Sequence, residues 1–414
     1  MRLADGHGDV GVSVDDLGDA QVTQVVVVLG QGGGDHRGTR VRGELDEEAA
    51  DTAGGAGDED RLARVEREGV EGGQRGDRRQ RRGASGRVEP CRGYPGPMTT
   101  DATQTHATGL TVPTDKAGAF VRRDSVFRRW VTADGSSDFL AEPGRYHLYV
   151  SLACPWAHRT IIFRKIKRLE RVVSMSVVDP VRDGRGWAFR EVPGAGEDPV
   201  NGFEYLSEAY RATNPAYEGN VTVPVLWDRD SGQIVNNESS EIIRMLGSAF
   251  DAFTDANDDY YPAKLRDQID KVNQRVYETI NNGVYRCGFA QTQTAYDHVF
   301  RPLFESLDWL EERLSRQRYL VGDRITEADW RLFTSLARFD AVYHGHFKCN
   351  RNRITDMPNL WGYARELYQR PGIAETINMD HIKRHYYMTH PSLNPSRIVP
   401  VGPRIDWTKP HNRG

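Results

Sequence analysis

From residue 144 onward the hydrophobic positions follow first a strand rhythm and then a helix rhythm. GRYHLYVSLA (144–153) is apolar and aromatic over a strand's length. The next run, CPWAHRTIIFRKIKRLE, puts Ile161, Ile162, Ile166 and Leu169 on one helical face and basic residues on the other. VVSMSVV (172–178) predicts a second strand, and VTVPVLWDRDSGQIVNN (221–237) two short strands around an Asp/Gly turn. ESSEIIRMLGSAF (238–250) predicts a helix whose apolar side is Ile242, Ile243, Leu246 and Phe250. Residues 180–220 read as a loop carrying Trp187. Strand signals stop near residue 262, and helical patterns follow over 262–282, 295–316, 326–340, 358–369 and a shorter stretch after Gly372. In RITEADWRLF, Thr326 and Asp329 have the spacing of a capping box, with Ile325 ahead of them as a staple, so a helix start is expected there as a stability feature.

The β-α-β then β-β-α order is that of a thioredoxin-like domain. The predicted fold class is α+β: a thioredoxin-like domain over 144–255, an all-α domain over 256–400, an N-terminal extension over 98–143 and a tail over 401–414. Residues 1–97 have a different character. They hold 21 of the 41 glycines and no Lys, Ile, Phe, Asn or Trp, so they offer almost nothing to nucleate a core. We expect them to be a disordered leader outside the native protein, an upstream reading of GC-rich DNA with the start at Met98. A genuine Gly/Arg/Asp tail is the alternative. The GQGGG at Gly30 lacks the following helix that a phosphate loop requires.

Charge and cysteine usage narrow the function. The net charge is −4 and no basic block follows residue 98, which argues against nucleic acid as a partner. No apolar run is long enough for a bilayer, and a cytoplasmic protein is expected. Cys91, Cys154, Cys287 and Cys349 have neither disulfide rhythm nor metal-ligand spacing. Cys287 and Cys349 are expected to be structural thiols.

Cys154 falls at the predicted joint between a strand and a helix, beside Pro155 and with Ala157 where a dithiol protein would carry its second cysteine. Unpaired amides and the helix dipole at such a position stabilise a thiolate, so a pKa below the usual value of about 8.5 is expected. His158 and Arg159 could add charge or face solvent. A small buried hydrophobe is the commonest fate of a free cysteine, but this position favours a nucleophile. Without a second cysteine, the thiol must form a mixed disulfide with an outside thiol, which another outside thiol then resolves. Val223-Pro224 in VTVPVL suits the cis-proline that thioredoxin-like domains set opposite their thiol. Glu238 and Ser239 open the last helix of that domain, where they could grip an amino-acid-like end group or serve only as caps.

Taken in order, YHLYVSLACPWAHRT, GRGWAF, VTVPVLWD, NNESSEIIRM, INNGVYRCGFA, FDAVYHGHFKCN and KRHYYMTHPSLNP resemble the glutathionyl-hydroquinone reductases, the Xi class of glutathione transferases, over roughly residues 115–400. The resemblance implies a thioredoxin-like domain followed by an all-α domain of glutathione-transferase type, and a homodimer. It makes Cys154 the nucleophile. Trp187, Val223, Glu238 and Ser239 would bind the thiol, Tyr285 and Tyr386 would act in the quinol pocket, and Tyr343 would bind substrate. Glutathione would be the cosubstrate, with no metal, flavin or nicotinamide, and the substrate a glutathionyl-hydroquinone or related thioether. Many members carry Arg just before VTVPVLWD, whereas this chain has Asn220. A charge partner for the glycine carboxylate is thereby lost, which keeps a mycothiol-dependent reductase open as an alternative. A conjugating transferase would usually present Ser or Tyr in place of Cys154. A non-catalytic interaction module would have no use for Cys154, Tyr285 and Tyr386 together.

Overall fold

The computed structural model of the chain describes residues 112–414. The leader 1–97, Cys91 and the glycine run at Gly30 lie outside the described residues. Two short strands, β1 (Val131–Thr132) and β2 (Phe139–Leu140), pair in parallel ahead of the main sheet. The main sheet is built on β3 (Tyr146–Val150), every residue of which is buried. β3 pairs in parallel with β4 (Ser174–Val177) and antiparallel with β5 (Val225–Asp228), while β6 (Gln233–Asn236) closes the far edge in the order β4-β3-β5-β6. His147 is buried in this central strand because both ring nitrogens find hydroxyls on β4, Ser174 Oγ at 2.7 Å and Ser176 Oγ at 2.9 Å.

Helix α1 (Pro155–Ile166) follows β3 directly and buries Ile161, Ile162 and Phe163. The expected loop over 180–220 contains a helix, α2 (Leu206–Thr213), which the sequence reading missed. It buries Leu206, Ala209 and Tyr210, and the Glu208 carboxylate takes the Tyr205 amide at 2.8 Å. A tyrosine where a small polar cap is usual hid this helix start. Helix α3 (Ser239–Ser248) packs against α1.

The helical region departs from the predicted spans mainly at their ends. The expected 262–282 helix divides into a 3-10 turn, α4 (Arg266–Val276), a π turn over Tyr277–Asn281 and α5 (Gly283–Gly288). Helix α6 (Gln293–Arg316) starts on Thr292, whose Oγ1 accepts the Ala295 amide at 3.2 Å. Helix α7 (Glu327–Arg338) runs into a second π turn, Phe339–Tyr343. The Thr326/Asp329 box forms, and Asp329 does more than cap: its Oδ2 takes the Thr326 amide at 2.7 Å, and its Oδ1 takes the Leu320 amide and the Tyr363 hydroxyl, each at 2.9 Å. Tyr363 belongs to α8 (Pro358–Tyr368), so this buried carboxylate ties three segments together.

Helix α9 (Met379–Thr389) is the short helix expected after Gly372 and carries Tyr386. The tail is packed against α8: Trp407 stacks on Tyr368 at 5.2 Å, and Arg413 reaches Glu366 at 3.2 Å. Among the described residues no helix is long and apolar enough to cross a membrane. The α+β class, a thioredoxin-like sheet domain followed by helices, is the one the hydrophobic pattern predicts.

Candidate active site

Cys154 stands where β3 hands over to α1. Its backbone is extended (φ −78°, ψ 124°) and it occupies the cap position, with Pro155 in the first turn where no amide hydrogen is needed. The half-buried thiol donates to the Val223 carbonyl at 3.6 Å, and the Val223-Pro224 peptide is cis, as expected. The expected fall in thiol pKa is reversed. Burial pushes Cys154 up, and the opposing pull of the Ala157 and Trp156 amides and the Arg338 and Arg122 guanidiniums does not cancel it. The unliganded site therefore favours the neutral thiol.

His158 and Arg159 are both buried rather than facing solvent. His158 Nε2 meets Thr376 Oγ1 at 2.8 Å, and burial, reinforced by Arg338, holds its pKa well below the usual histidine range. It lends no charge. Arg159 turns to the other wall, giving Nη1 to Ser239 Oγ at 3.3 Å and Nη2 to Asn281 Oδ1 at 2.8 Å; burial lowers its pKa to about 9.

Glu238 caps α3, its Oε1 accepting the Ser240 amide at 3.0 Å. Its Oε2 accepts Ser125 Oγ at 3.1 Å, so the N-terminal extension reaches this site. Burial alone would raise the Glu238 pKa, but the Ser240 amide and hydroxyl, Arg159 and Ser125 bring it below the usual value. A fixed carboxylate at a helix start beside Ser239 can hold an ammonium group, while the free amides there suit a carboxylate.

The three tyrosines converge. Tyr386 OH lies 2.6 Å from Tyr285 OH and 3.1 Å from Tyr343 OH, in a chain that starts on α5, passes through α9 and ends in the π turn after α7. Burial raises the pKa of each, so each is a neutral hydroxyl donor. Phe347 packs against Tyr343 at 5.6 Å and Tyr285 at 5.5 Å, a position possible only because residue 288 is glycine: a Cβ there would lie 2.2 Å from Phe347 Cδ1. Trp156, two residues after Cys154, stacks on Tyr285 at 6.4 Å and joins the phenol chain to the thiol's helix; a charge on the Cys154 sulfur would add to the rise at Tyr285.

Trp187 is buried and joins the same assembly from the far side. Its ring stacks on His385 at 5.0 Å, the residue before Tyr386, and Arg182 lies over the ring at 5.1 Å. The Nε of Arg182 is buried and has no hydrogen-bond partner among the described residues.

Sequence reasoning missed Arg122, Ser125, Trp156, Arg182, His385 and Arg338. Arg122 reaches in from the extension and lies 4.9 Å from the ring centres of both Trp156 and Tyr285, anchored on Asn282 Oδ1 at 2.8 Å. Trp156 could have been found from its place two residues after Cys154, between Pro155 and Ala157. Arg338 stands one residue ahead of FDAVYHGHFKCN. Ser125 and Arg122 carried no local signal.

The chain is similar to known proteins in sequence and in fold. Residues 153–249 match the family described as Glutathione S-transferase, N-terminal domain, and residues 293–366 match Glutathione S-transferase, C-terminal domain. The chain is 54% identical to the glutathionyl-hydroquinone reductase PcpF of Sphingobium chlorophenolicum, across 69% of this chain and 90% of that protein. It is 52% identical to the glutathionyl-hydroquinone reductase YqjG of Escherichia coli K12, across 72% of this chain and 92% of that protein. The glutathione-bound structure of the E. coli protein superposes with a TM-score of 0.69, covering 70% of this chain and 96% of the other.

Proposed function

Since the chain belongs to the glutathionyl-hydroquinone reductase family, the Xi class of the glutathione transferases, we propose that it removes glutathione from glutathionyl-hydroquinones through a mixed disulfide at Cys154. The observation that carries this reading is the chain of three buried phenols joined, through the Trp156 ring stacked on Tyr285 at 6.4 Å, to the helix start that bears a single thiol. In the first step the Cys154 sulfur attacks the sulfur of the conjugate. A sulfur–sulfur bond forms, the carbon–sulfur bond breaks, and its electron pair stays with the ring carbon, which takes a proton and leaves as hydroquinone. Tyr285 and Tyr386 hold the quinol oxygen and relay that proton, with Tyr343 behind them. The ring carbon is reduced and the two sulfurs are oxidised. A free glutathione then attacks the adduct, giving the glutathione disulfide and returning Cys154 as a thiol. Summed over the first step, the proton that leaves Cys154 equals the one the ring carbon gains, which is compatible with a thiol kept neutral at rest.

The Val223 backbone facing the thiol would hold the cysteinyl portion of glutathione, and Glu238 with Ser239 its γ-glutamyl end. Trp187 would wall the site from the α9 side. A second reading substitutes mycothiol, and its support is Asn220: exposed and uncharged, it offers a carboxylate no charge partner. A non-catalytic interaction module gains no support from a buried thiol and phenol chain. The three described cysteines are free, which suits the reducing cytoplasm in which we place the enzyme; the homodimer rests on the family.

The test is intact mass of the full chain after incubation with a glutathione-linked or a mycothiol-linked hydroquinone, before any resolving thiol is added. Gain of one glutathione on Cys154 is expected. Gain of mycothiol alone would replace the cosubstrate, and no adduct from either would sink the reductase reading.

A further inference from the structure

Arg338 ends α7 and is fully buried. Its Nε donates to the Ala153 carbonyl at 2.8 Å and its Nη2 to the Leu152 carbonyl at 3.1 Å, the two carbonyls immediately before Cys154. Its Nη1 donates to the Thr334 carbonyl at 2.7 Å and to His158 Nδ1 at 3.1 Å. A guanidinium is only ever a donor, so His158 accepts at Nδ1 and must carry its proton on Nε2, facing Thr376 Oγ1. That threonine donates in turn to the Ile373 carbonyl at 2.6 Å. His158 is thus a neutral spacer that holds the guanidinium in place.

Every partner of Arg338 is neutral. A buried charge without a counter-charge is costly, and pinning two carbonyls could be done by a neutral amide. A neutral side chain could not supply a positive field. The titratable groups whose charge couples to the thiol come from four elements: Arg338 from α7, Arg122 from the extension, Arg182 from the segment after β4, and Tyr285 from α5. Arg122 is spread over aromatic faces and tied to Asn282, and Arg182 lies on Trp187. Arg338 alone is joined to the thiol's own loop, and it pulls Cys154, Tyr343 and Tyr386 toward their ionised forms.

We propose that Arg338 is the positioning residue of the thiol: it fixes the 152–153 carbonyls that set where the Cys154 sulfur sits, and its unpaired charge balances the thiolate that forms at attack. The proposal rests on Cys154 being the nucleophile. The first arm of its test does not need turnover. Iodoacetamide alkylation of Cys154, read by peptide mass as a function of pH, titrates the thiol in the full chain, in Arg338→Gln and in Arg338→Lys, each first checked for a cooperative melt.

The Gln variant should shift the alkylation profile up by about one unit, a roughly tenfold smaller thiolate fraction at neutral pH. The Lys variant should keep the wild-type profile yet lose about tenfold in kcat with KM nearly unchanged, because one ammonium cannot hold both carbonyls as the fork does. A folded Gln variant with the wild-type profile overturns the proposal, as does a Lys variant with wild-type kcat. Failure of both to fold also overturns it, making Arg338 a structural cation. Absence of turnover in the wild type would count against the reductase reading and leave the alkylation profile legible.

Discussion

Tyr386→Phe is the sharpest test of the phenol chain, because Tyr386 is its middle member. The substitution removes one oxygen and both hydroxyl contacts, 2.6 Å to Tyr285 and 3.1 Å to Tyr343. Tyr343 is fully buried, so its hydroxyl is left without that partner. A lost neutral hydrogen bond costs about 1 kcal/mol, and a stranded buried hydroxyl adds about 1–2 kcal/mol. Together these predict a loss of about 2–3 kcal/mol, or roughly 4–6 °C in Tm for a folded region of this size. The catalytic effect should be larger in proportion. If the ring carbon takes its proton through this chain, breaking it should lower kcat by about 10²–10³ while KM moves little. Tyr343→Phe is the control, since it removes only the terminal contact and leaves Tyr386 with Tyr285; about 1 kcal/mol and at most tenfold in kcat are expected. Hydroquinone release from a glutathionyl-hydroquinone under excess thiol, followed by chromatography, reads both. A Tyr386→Phe enzyme within threefold of wild-type kcat, or a Tyr343→Phe enzyme more impaired than it, would refute the relay.

Two further outcomes are expected. Cys154→Ser should abolish reductase turnover and the thiol adduct while changing stability by no more than about 1 kcal/mol, checked by urea unfolding, since one sulfur gives way to one oxygen at a half-buried site; full turnover in that variant would end the thiol mechanism. Stability should also fall below neutral pH. Burial lowers His147 and His346 to about 4 and His385 to about 3, against an unfolded value near 6.5. The unfolded chain therefore binds more protons in that window, so these imidazoles stabilise the fold fully above pH 6.5 and progressively less as pH drops toward 4. At pH 5 each would cost about 2 kcal/mol. A urea midpoint that stays flat from pH 7 to pH 5 at constant ionic strength would show that they are not buried as neutral rings.

The sheet and the helices on either side of the thiol were legible because they are patterned by burial. β3 is buried at every residue and reads as an aromatic and apolar run broken only by His147, while α3 shows its apolar side at helical spacing. Helix α2 was not legible, since its start is made by a tyrosine and a glutamate. The π turns were not legible either, and they matter, because the one after α7 carries Tyr343 out of the helix and onto Tyr386. Among the site residues, those that bear recognisable chemistry in the sequence were found. The arginines were not, because a pattern of polar and apolar letters puts Arg on the surface. Arg159 and Arg338 are buried, and what allows it is a set of carbonyls, hydroxyls and amides scattered up to 186 residues away in the chain.

Those buried cations also explain how a single thiol can serve where related folds use two. A second cysteine at position 157 would offer an internal partner; Ala157 is fully buried and turns only its amide toward the sulfur. On the proposed mechanism, with no internal disulfide available, Cys154 has to stay unreactive until a conjugate arrives and then be released from the adduct to an outside thiol. Burial does the first, keeping the proton on sulfur and the sulfur on the Val223 carbonyl. The second needs a sulfur that is a good leaving group, and a leaving thiolate is stabilised by the same guanidinium that steadies the attacking one. Desolvation and a neighbouring cation oppose each other in the resting protein. Once sulfur carries charge, desolvation still penalises it, and Arg338, drier than any surface arginine, offsets part of that penalty with a stronger field.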